Sequence, residues 1–263
     1  MPAPCRLCDH DCVPTFERTL LHRLTVRYFT CPACGALQTE EPTWLDEAYG
    51  SAIAALDTGI VTRNLVNQAV VFLLARILKP AGRLVDFGGG TGMLCRLLRD
   101  IGFDAYLMDR YADPVFARGF GLAPDAAGTA PIAMLTCFEV FEHLSAPGVE
   151  IDALFALKPA LLVASTKLCD GQGADWPYLV PETGQHVFFY ARRTMAAIAA
   201  KQGYTYINRG DYHLFARAAV SPLQRAMIRL CLSRPGLLLA RMIIATRLDT
   251  RFAERDQDQL NRT

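Results

Sequence analysis

The sequence predicts an α/β protein: a doubly wound, Rossmann-like sheet with a terminal antiparallel strand, preceded by a small zinc-ribbon-like module. Three observations predict it. Short apolar runs alternate with helix-periodic segments from residue 81 to residue 218. The first of those runs ends in a glycine loop, Asp86-Phe87-Gly88-Gly89-Gly90-Thr91-Gly92. Two Cys-x-x-Cys pairs, Cys5/Cys8 and Cys31/Cys34, stand at the N-terminal end.

A chain of 263 residues, 52% hydrophobic and 20% charged, has material for one large core and a small appendage. The expected boundaries are 1–42 for the zinc-binding module, 43–80 for a helical connector, 81–218 for the sheet domain and 219–263 for an apolar helical segment with a polar tail. A formal net charge of +1 supplies no global field to attract polyanions, so no nucleic-acid partner is expected. The N-terminus lacks a basic stretch followed by an apolar run, and no run of 18 apolar residues occurs. Of the nine cysteines, Cys5, Cys8, Cys12, Cys31 and Cys34 crowd the N-terminal end while the other four are isolated, unlike a secreted disulfide framework. These features predict a cytoplasmic protein.

Taken in order, the elements follow from pattern. Thr25–Phe29 is β-rich. Residues 42–56 read as a connector with one helical turn. Val61, Leu65, Val66, Ala69, Phe72, Leu73 and Ile77 recur at helical spacing over 60–79 and stop before Pro80. Strands are expected at Arg83–Phe87, Ala105–Met108, Ile132–Phe138 and Leu161–Thr166. Helices are expected at Met93–Ile101, Val149–Leu157 and Arg193–Gln202. Thr205–Asn208 and Tyr212–Ala216 form a closing strand pair across Arg209-Gly210-Asp211. Residues 115–130 give no clear signal where a third strand belongs.

The glycine loop opens the helix at Met93. Glycine lets the chain turn sharply and brings backbone nearer a ligand than a Cβ would permit. The helix start then presents free N–H groups. Asp109 ends the next strand, 17 residues past Gly92, where a carboxylate can accept from both hydroxyls of a ribose. Thr136-Cys137-Phe138-Glu139-Val140-Phe141-Glu142-His143-Leu144 ends a strand expected beside the first, and ligands of such sheets bind outside the carboxyl ends of the strands. Glu139, Glu142 and His143 therefore project where general-base chemistry is feasible, although Glu142 and His143 serve equally as helix-capping or backbone-binding groups.

In these segments the chain resembles the class I S-adenosylmethionine (SAM)-dependent methyltransferases. Asp86–Gly92, Asp109 and Phe138–Leu144 correspond to the first, second and fourth motifs of that class, over roughly residues 60–217. The resemblance implies the fold of that class and SAM as cofactor. It implies that Asp86, Gly88, Gly89, Gly90, Gly92 and Phe138 line the SAM pocket, that Asp109 holds the ribose and that Glu139 or its neighbours touch the methionine end. The loop reads D-x-G-x-G-x-G rather than the G-x-G-x-x-G of dinucleotide sites, in keeping with a ligand that has no pyrophosphate. Trp176-Pro177-Tyr178 and Gly184-Gln185-His186 further resemble a subgroup that carries an N-terminal zinc module, with members acting on nucleotide-linked sugars or polysaccharide precursors.

The cysteine pairs, 22 residues apart, are a strong signal for a tetrahedral thiolate site holding Zn²⁺. Gly35 permits the positive φ that the second knuckle needs. A module of this size has little core, and a metal contributing on the order of 10 kcal/mol stabilises it. Four protein thiolates leave no open coordination position, so the site is structural. His10, Cys12 and His22 lie nearby, and Cys12 is an alternative to Cys8.

Methyl transfer is an in-line displacement, so the protein must align the reacting groups and exclude water. An oxygen or carbon acceptor also needs a base. His186 is the first candidate, with loop hydrogen bonding as its alternative role; Glu142 and His143 are the others. Trp176 and Tyr178 are expected to wall the acceptor, while Tyr49, Phe188, Phe189 and Tyr190 are more often plain core. The expected substrate is a small polar molecule such as a nucleotide-sugar or glycan precursor. Alternatives are an RNA or protein methyltransferase that docks through the zinc module, and a non-catalytic SAM-binding regulator. Residues 221–247 combine leucines with arginines and are interrupted at Pro235-Gly236. They suit a docked helical hairpin, a dimer contact or a peripheral membrane-surface helix. The last dozen residues are expected to fray.

Overall fold

The computed structural model describes residues 3–50, 58–123, 129–247 and 250–261. The chain divides into two compact units. One comprises Met1–Thr58, Glu139–Ala156 and Ala164–His213, the other Gly59–Phe138, Leu157–Val163 and Leu214–Thr263.

The first unit is organised by an antiparallel sheet. Its strands are β1 (Ala3–Pro4), β2 (Asp11–Leu20), β3 (Leu24–Thr30), β4 (Leu37–Thr39) and β9 (Phe188–Phe189), in the order β1-β2-β3-β4-β9. The β2–β3 hairpin turns at Leu21 and His22, both left-handed with φ of 51° and 59°. Pro14 is accommodated because the register shifts between Pro14 and Phe16, so the ladder is already irregular there. The inward face carries Leu20, Val26, Tyr28, Leu37 and Phe189, which pack with Trp44, Tyr178 and Leu179. Edge strand β9 comes from far along the sequence, so the cysteine-bearing sheet is completed by Leu37↔Phe189 and Gln38↔Phe188 pairing. Helices α1 (Leu45–Gly50), α4 (Pro147–Ala156) and α5 (Arg192–Gln202) complete this unit.

The mixed sheet has six strands in the order β10-β11-β8-β7-β5-β6. These are β5 (Arg83–Phe87), β6 (Ala105–Met108), β7 (Ile132–Phe138), β8 (Leu161–Ser165), β10 (Thr205–Arg209) and β11 (Tyr212–Ala216). Strand β5 is parallel to both β6 and β7, as a crossover topology requires. Strands β10 and β11 are hydrogen-bonded neighbours joined by only Gly210-Asp211, so they run antiparallel. Among the described residues no third strand follows β6. A single parallel bridge, Leu107↔Gly121, stands in its place.

In the second unit, α2 (Ile60–Leu78) is long and apolar enough to cross a membrane by length and composition. Its Ala69, Val70, Val71 and Leu74 are nevertheless fully buried within the unit. Helix α3 (Met93–Arg99) follows the glycine loop. The segment 221–247 forms α6 (Pro222–Cys231) and α7 (Arg234–Ala245). The break falls at Leu232-Ser233 rather than at Pro235-Gly236. Ser233 accepts a hydrogen bond from the Gly236 N–H, and Pro235 sits in the first helical turn, where it has no N–H to waste. Ala240 and Ile244 pack on Ala69 and Phe72 of α2, which supports the docked-hairpin reading. The expectation of a frayed tail is corrected by α8 (Thr250–Leu260). Its Asp256 is buried and takes Arg99 Nε at 2.7 Å, Arg99 Nη2 at 2.8 Å and Arg96 Nη2 at 2.9 Å. Burial alone would raise the Asp256 carboxyl; the hydrogen bonds and charge of Arg99 outweigh it and hold it below the ordinary value.

Candidate functional site

The glycine loop is built by backbone. Gly88, Gly90 and Gly92 have φ of 67°, 57° and 83°, a region costly to any residue with a Cβ. A Cβ on Gly89 would lie 2.1 Å from Asp86 Oδ2, and one on Gly92 2.5 Å from the Ala117 Cβ. Gly90 faces open space, with nothing within 4 Å of where its Cβ would point. This is the position at which a ligand can approach the chain.

The two acids of this region are treated differently. Asp109 accepts from the N–H groups of Gly90 at 2.8 Å, Tyr111 at 2.8 Å and Ala112 at 2.9 Å. A carboxylate has about four lone-pair sites, so a ribose hydroxyl would take the one remaining or displace the Gly90 N–H. Asp86 is buried at 4% exposure. Thr136 Oγ1 donates to its Oδ1 at 2.7 Å, while its Oδ2 has no partner. Burial, partly offset by the Thr136 hydrogen bond, pushes the Asp86 carboxyl up to about 7. A buried carboxyl with an idle oxygen suits a cationic ligand, which would hold it ionised. Phe138 ends β7 half-buried.

The remaining predicted residues gather in the first unit. Glu139 takes φ of 52°, unusual for a residue with a Cβ. Ser165 holds it there. The Glu139 N–H donates to Ser165 O at 3.1 Å and Oγ at 3.0 Å, and Ser165 Oγ donates to Glu139 Oε1 at 2.6 Å. Phe141–His143 then form a 3₁₀ turn, and the Tyr190 hydroxyl donates to the Phe141 carbonyl at 3.0 Å. Glu142, wholly buried, receives the Tyr178 hydroxyl on Oε1; its Oε2 has no partner. The Tyr178 hydroxyl also lies 3.2 Å from Thr166 Oγ1. Burial, with Glu142 and Glu139 alongside, holds the Tyr178 phenol far above its ordinary value, so it remains a donor.

His186 Nδ1 lies 2.7 Å from the Tyr178 carbonyl oxygen. A carbonyl only accepts, so Nδ1 carries the proton and Nε2 of the neutral ring keeps its lone pair. The His143 and His186 rings meet edge to face at 4.9 Å. Burial first and His186 second push the His143 imidazole down to about 3, which keeps it neutral and a poor proton acceptor near pH 7. Trp176 packs against Tyr178 and Phe189, with ring centroids at 5.3 and 5.5 Å. The structure thus joins Glu139, Glu142, His143, Tyr178 and His186 into one polar cluster flanked by Trp176. Phe188, Phe189 and Tyr190 are core. Sequence reasoning missed Thr136, Ser165 and Thr166, whose available signal was a hydroxyl at the end of a buried strand. A cleft of about 650 Å³ elsewhere in this unit, lined by Thr30, Gly35, Asp170, Gly171, Arg192 and Arg193, includes no predicted site residue.

Cys5, Cys8, Cys31 and Cys34 converge, with all four sulfurs within 4.8 Å of one another. Cys5 Sγ is 3.7 Å from Cys34 Sγ, and Cys8 Sγ is 3.6 Å from Cys31 Sγ. Zn–S bonds of about 2.3 Å in a tetrahedron put sulfurs about 3.8 Å apart, so the four thiols fit that ion. They are too far apart for disulfides. The knuckles are alike. Asp9 (φ 62°) donates its N–H to Cys5 O at 2.9 Å, and Gly35 (φ 82°) donates to Cys31 O at 2.8 Å. The Thr194 hydroxyl accepts from the Ala191 N–H at 3.0 Å and donates to Cys34 O at 2.8 Å, tying α5 to the second knuckle. Arg6, within the first knuckle, donates to Val187 O at 2.6 Å. Cys12 is buried, and its Sγ lies 3.8 Å from His10 O.

The model of a methyltransferase domain family matches residues 62–208. Among solved structures the chain is similar to magnesium protoporphyrin IX methyltransferase of Synechocystis PCC 6803 with bound SAH, at 16% identity over 66% of this chain and 93% of that chain, TM-score 0.44. It is similar to the 1,6-didemethyltoxoflavin-N1-methyltransferase of Burkholderia thailandensis, at 12% identity over 78% and 97% of the two chains, TM-score 0.47. A third is a SAM-dependent methyltransferase of Thermotoga maritima, at 11% identity over 65% and 99%, TM-score 0.45. No curated protein matches the chain in sequence.

Proposed function

The chain belongs to the methyltransferase-domain family, and from that premise we propose that it transfers a methyl group from SAM to a small polar acceptor of the nucleotide-sugar or glycan-precursor class. The observation that carries the donor assignment is the pairing of an open backbone at Gly90 with Asp109 beside it and a buried, half-satisfied Asp86 beneath. SAM supplies a methyl on a cationic sulfur, which an acceptor oxygen displaces in line. Asp86 supplies negative charge to a ligand that carries positive charge, and Gly88–Gly92 supply backbone and space. Asp109 receives the ribose hydroxyls.

On the acceptor side, Nε2 of His186 is the group able to take a proton, because Nδ1 is committed to the Tyr178 carbonyl. As the acceptor oxygen bonds to the methyl carbon, its proton passes to Nε2 and the carbon–sulfur bond breaks toward sulfur. His143 is the weaker base, and Glu142 orients the cluster through Tyr178. We assign Zn²⁺ to Cys5, Cys8, Cys31 and Cys34 as a structural ion, supported by sulfur spacing that matches a tetrahedron.

The test is product formation. Full-length protein is incubated with SAM and a panel of nucleotide-sugars, and the mixtures are analysed by mass spectrometry. One acceptor gaining a single methyl with equimolar S-adenosylhomocysteine is the expected result. Methylation of RNA or protein in parallel reactions, with every sugar untouched, would replace this acceptor class.

A further inference from the structure

We propose that Glu142, His143 and His186 form a second metal site, which takes a divalent transition-metal cation. Each of the three offers one ligand atom, and these atoms lie within 4.8 Å of one another. Glu142 is completely buried, yet its Oε2 has no hydrogen-bond partner, and the buried Nδ1 of His143 has none either. Buried polar atoms left without partners are costly, and two of them on adjacent residues of a clustered ligand set mark a place where something polar is bound. The His143 ring hydrogen-bonds the Gln185 backbone, and a cation held by Glu142 Oε2 and His143 Nδ1 would satisfy both orphaned atoms at once.

The groups behind these ligands are already in place. Glu142 Oε1 is taken by the Tyr178 hydroxyl, which fixes the carboxylate and leaves Oε2 turned away from it. The Tyr178 carbonyl fixes the His186 tautomer with Nε2 free. This is the support that metal-ligating carboxylates and imidazoles ordinarily have. One tyrosine thus orients two ligands. Two imidazoles and a carboxylate favour zinc, manganese or iron over the oxygen-only coordination of calcium. Ligand atoms about 2.1 Å from a common ion stand about 3.0–3.4 Å apart, so the widest pair closes by up to about 1.4–1.8 Å on loading. Three protein ligands leave a position open.

An acceptor hydroxyl at that open position becomes more acidic. With the cation bound, the His186 Nε2 lone pair is coordinated and the acceptor's proton leaves to solvent as the oxygen attacks the methyl; in the metal-free protein His186 takes that proton. This chemical role rests on the methyl-transfer reading; the metal site itself does not.

Full-length protein is dialysed against a weak chelator, its thiolate-bound metal is quantified, and it is titrated with Mn²⁺ while free Mn²⁺ is followed by electron paramagnetic resonance. One exchangeable equivalent per chain is expected beyond the thiolate-bound ion. His143→Ala and His186→Ala should each weaken that binding more than tenfold while leaving the thiolate-bound metal in place. Glu142→Gln is the third variant, and the two histidine variants decide the matter if it does not fold. No Mn²⁺ uptake by the wild type at about 1 mM, or equal uptake by wild type and both histidine variants, overturns the proposal. SAM calorimetry on the same samples separates the two readings. SAM uptake without Mn²⁺ uptake sinks the metal site alone, and Mn²⁺ uptake without SAM uptake sinks the donor assignment alone.

Discussion

The turn after β5 and the turn after β7 are both polar, and they are built in opposite ways. After β5 the chain presents backbone: glycines at positive φ, N–H groups on Asp109 and open space at Gly90. After β7 it presents side chains, and Glu139, Glu142 and His143 are held by Ser165, Tyr178 and Tyr190 from other parts of the sequence. The first region is assembled almost entirely from residues 86–112, with Thr136 added. The second exists only when distant segments are folded together. Damage to the first should therefore appear in ligand affinity, and damage to the second in both chemistry and folding.

The largest expected effect falls on the unit that holds the second region. Stripping the thiolate-bound ion with a strong chelator, or replacing Cys31→Ser, removes on the order of 10 kcal/mol from the folded first unit. Of the two tryptophans, Trp44 is buried in that unit's core and Trp176 packs partly buried against it. Their fluorescence should shift to the red as the metal leaves. An unchanged spectrum from metal-free protein would remove the structural role of the cysteines.

Next in size, His186→Ala should lower turnover about 10²–10⁴-fold with SAM affinity nearly intact. Steady-state kinetics beside calorimetry tests whether the two regions divide the labour. Turnover at the wild-type level would take His186 out of the chemistry.

A third effect belongs to Asp86. Its carboxyl is pushed up to about 7 in the fold against 3.8 for the free group. Between those values the folded state holds a proton that the unfolded chain has shed, so stability falls as pH rises from about 4 to 7. The loss is at most about 4 kcal/mol and is complete above pH 7. Asp86→Asn should flatten that slope in denaturant titrations. An unaltered slope would mean that the carboxyl is not strained by burial.

The smallest effect is Asp109→Ala, expected to weaken SAM binding roughly 10–100-fold, or about 1.4–2.7 kcal/mol, while turnover at saturating SAM persists. A loss of turnover with unchanged affinity would reverse the roles assigned to the two regions.

The contrast also explains which features are legible from sequence. The glycine loop, both cysteine knuckles and strands β5, β6 and β7 are specified by neighbours in the chain, so pattern reveals them. The third strand after β6 is absent among the described residues because Gly121 supplies one bridge where an apolar run would have supplied a ladder. Helix α8 reads as a polar, fraying tail because the partners of Asp256 are Arg96 and Arg99, more than 150 positions away. Their charge compensation turns a polar residue into a buried one. Tyr178 reads as an aromatic wall, yet its hydroxyl is spent inside the cluster on Glu142, an arrangement visible only once two 3₁₀ turns, Phe141–His143 and Pro177–Leu179, are folded.

The central claim is that the loop around Gly90, with Asp86 and Asp109, receives SAM. Calorimetry of the wild-type protein with SAM near pH 7, in two buffers of different ionisation enthalpy, tests it most directly. The account predicts saturable binding of one SAM per chain with release of a fraction of a proton, because a cationic ligand ionises Asp86, and it predicts that Asp86→Asn abolishes the release. The absence of SAM uptake at millimolar concentration would contradict the account, as would binding with the same proton release in Asp86→Asn.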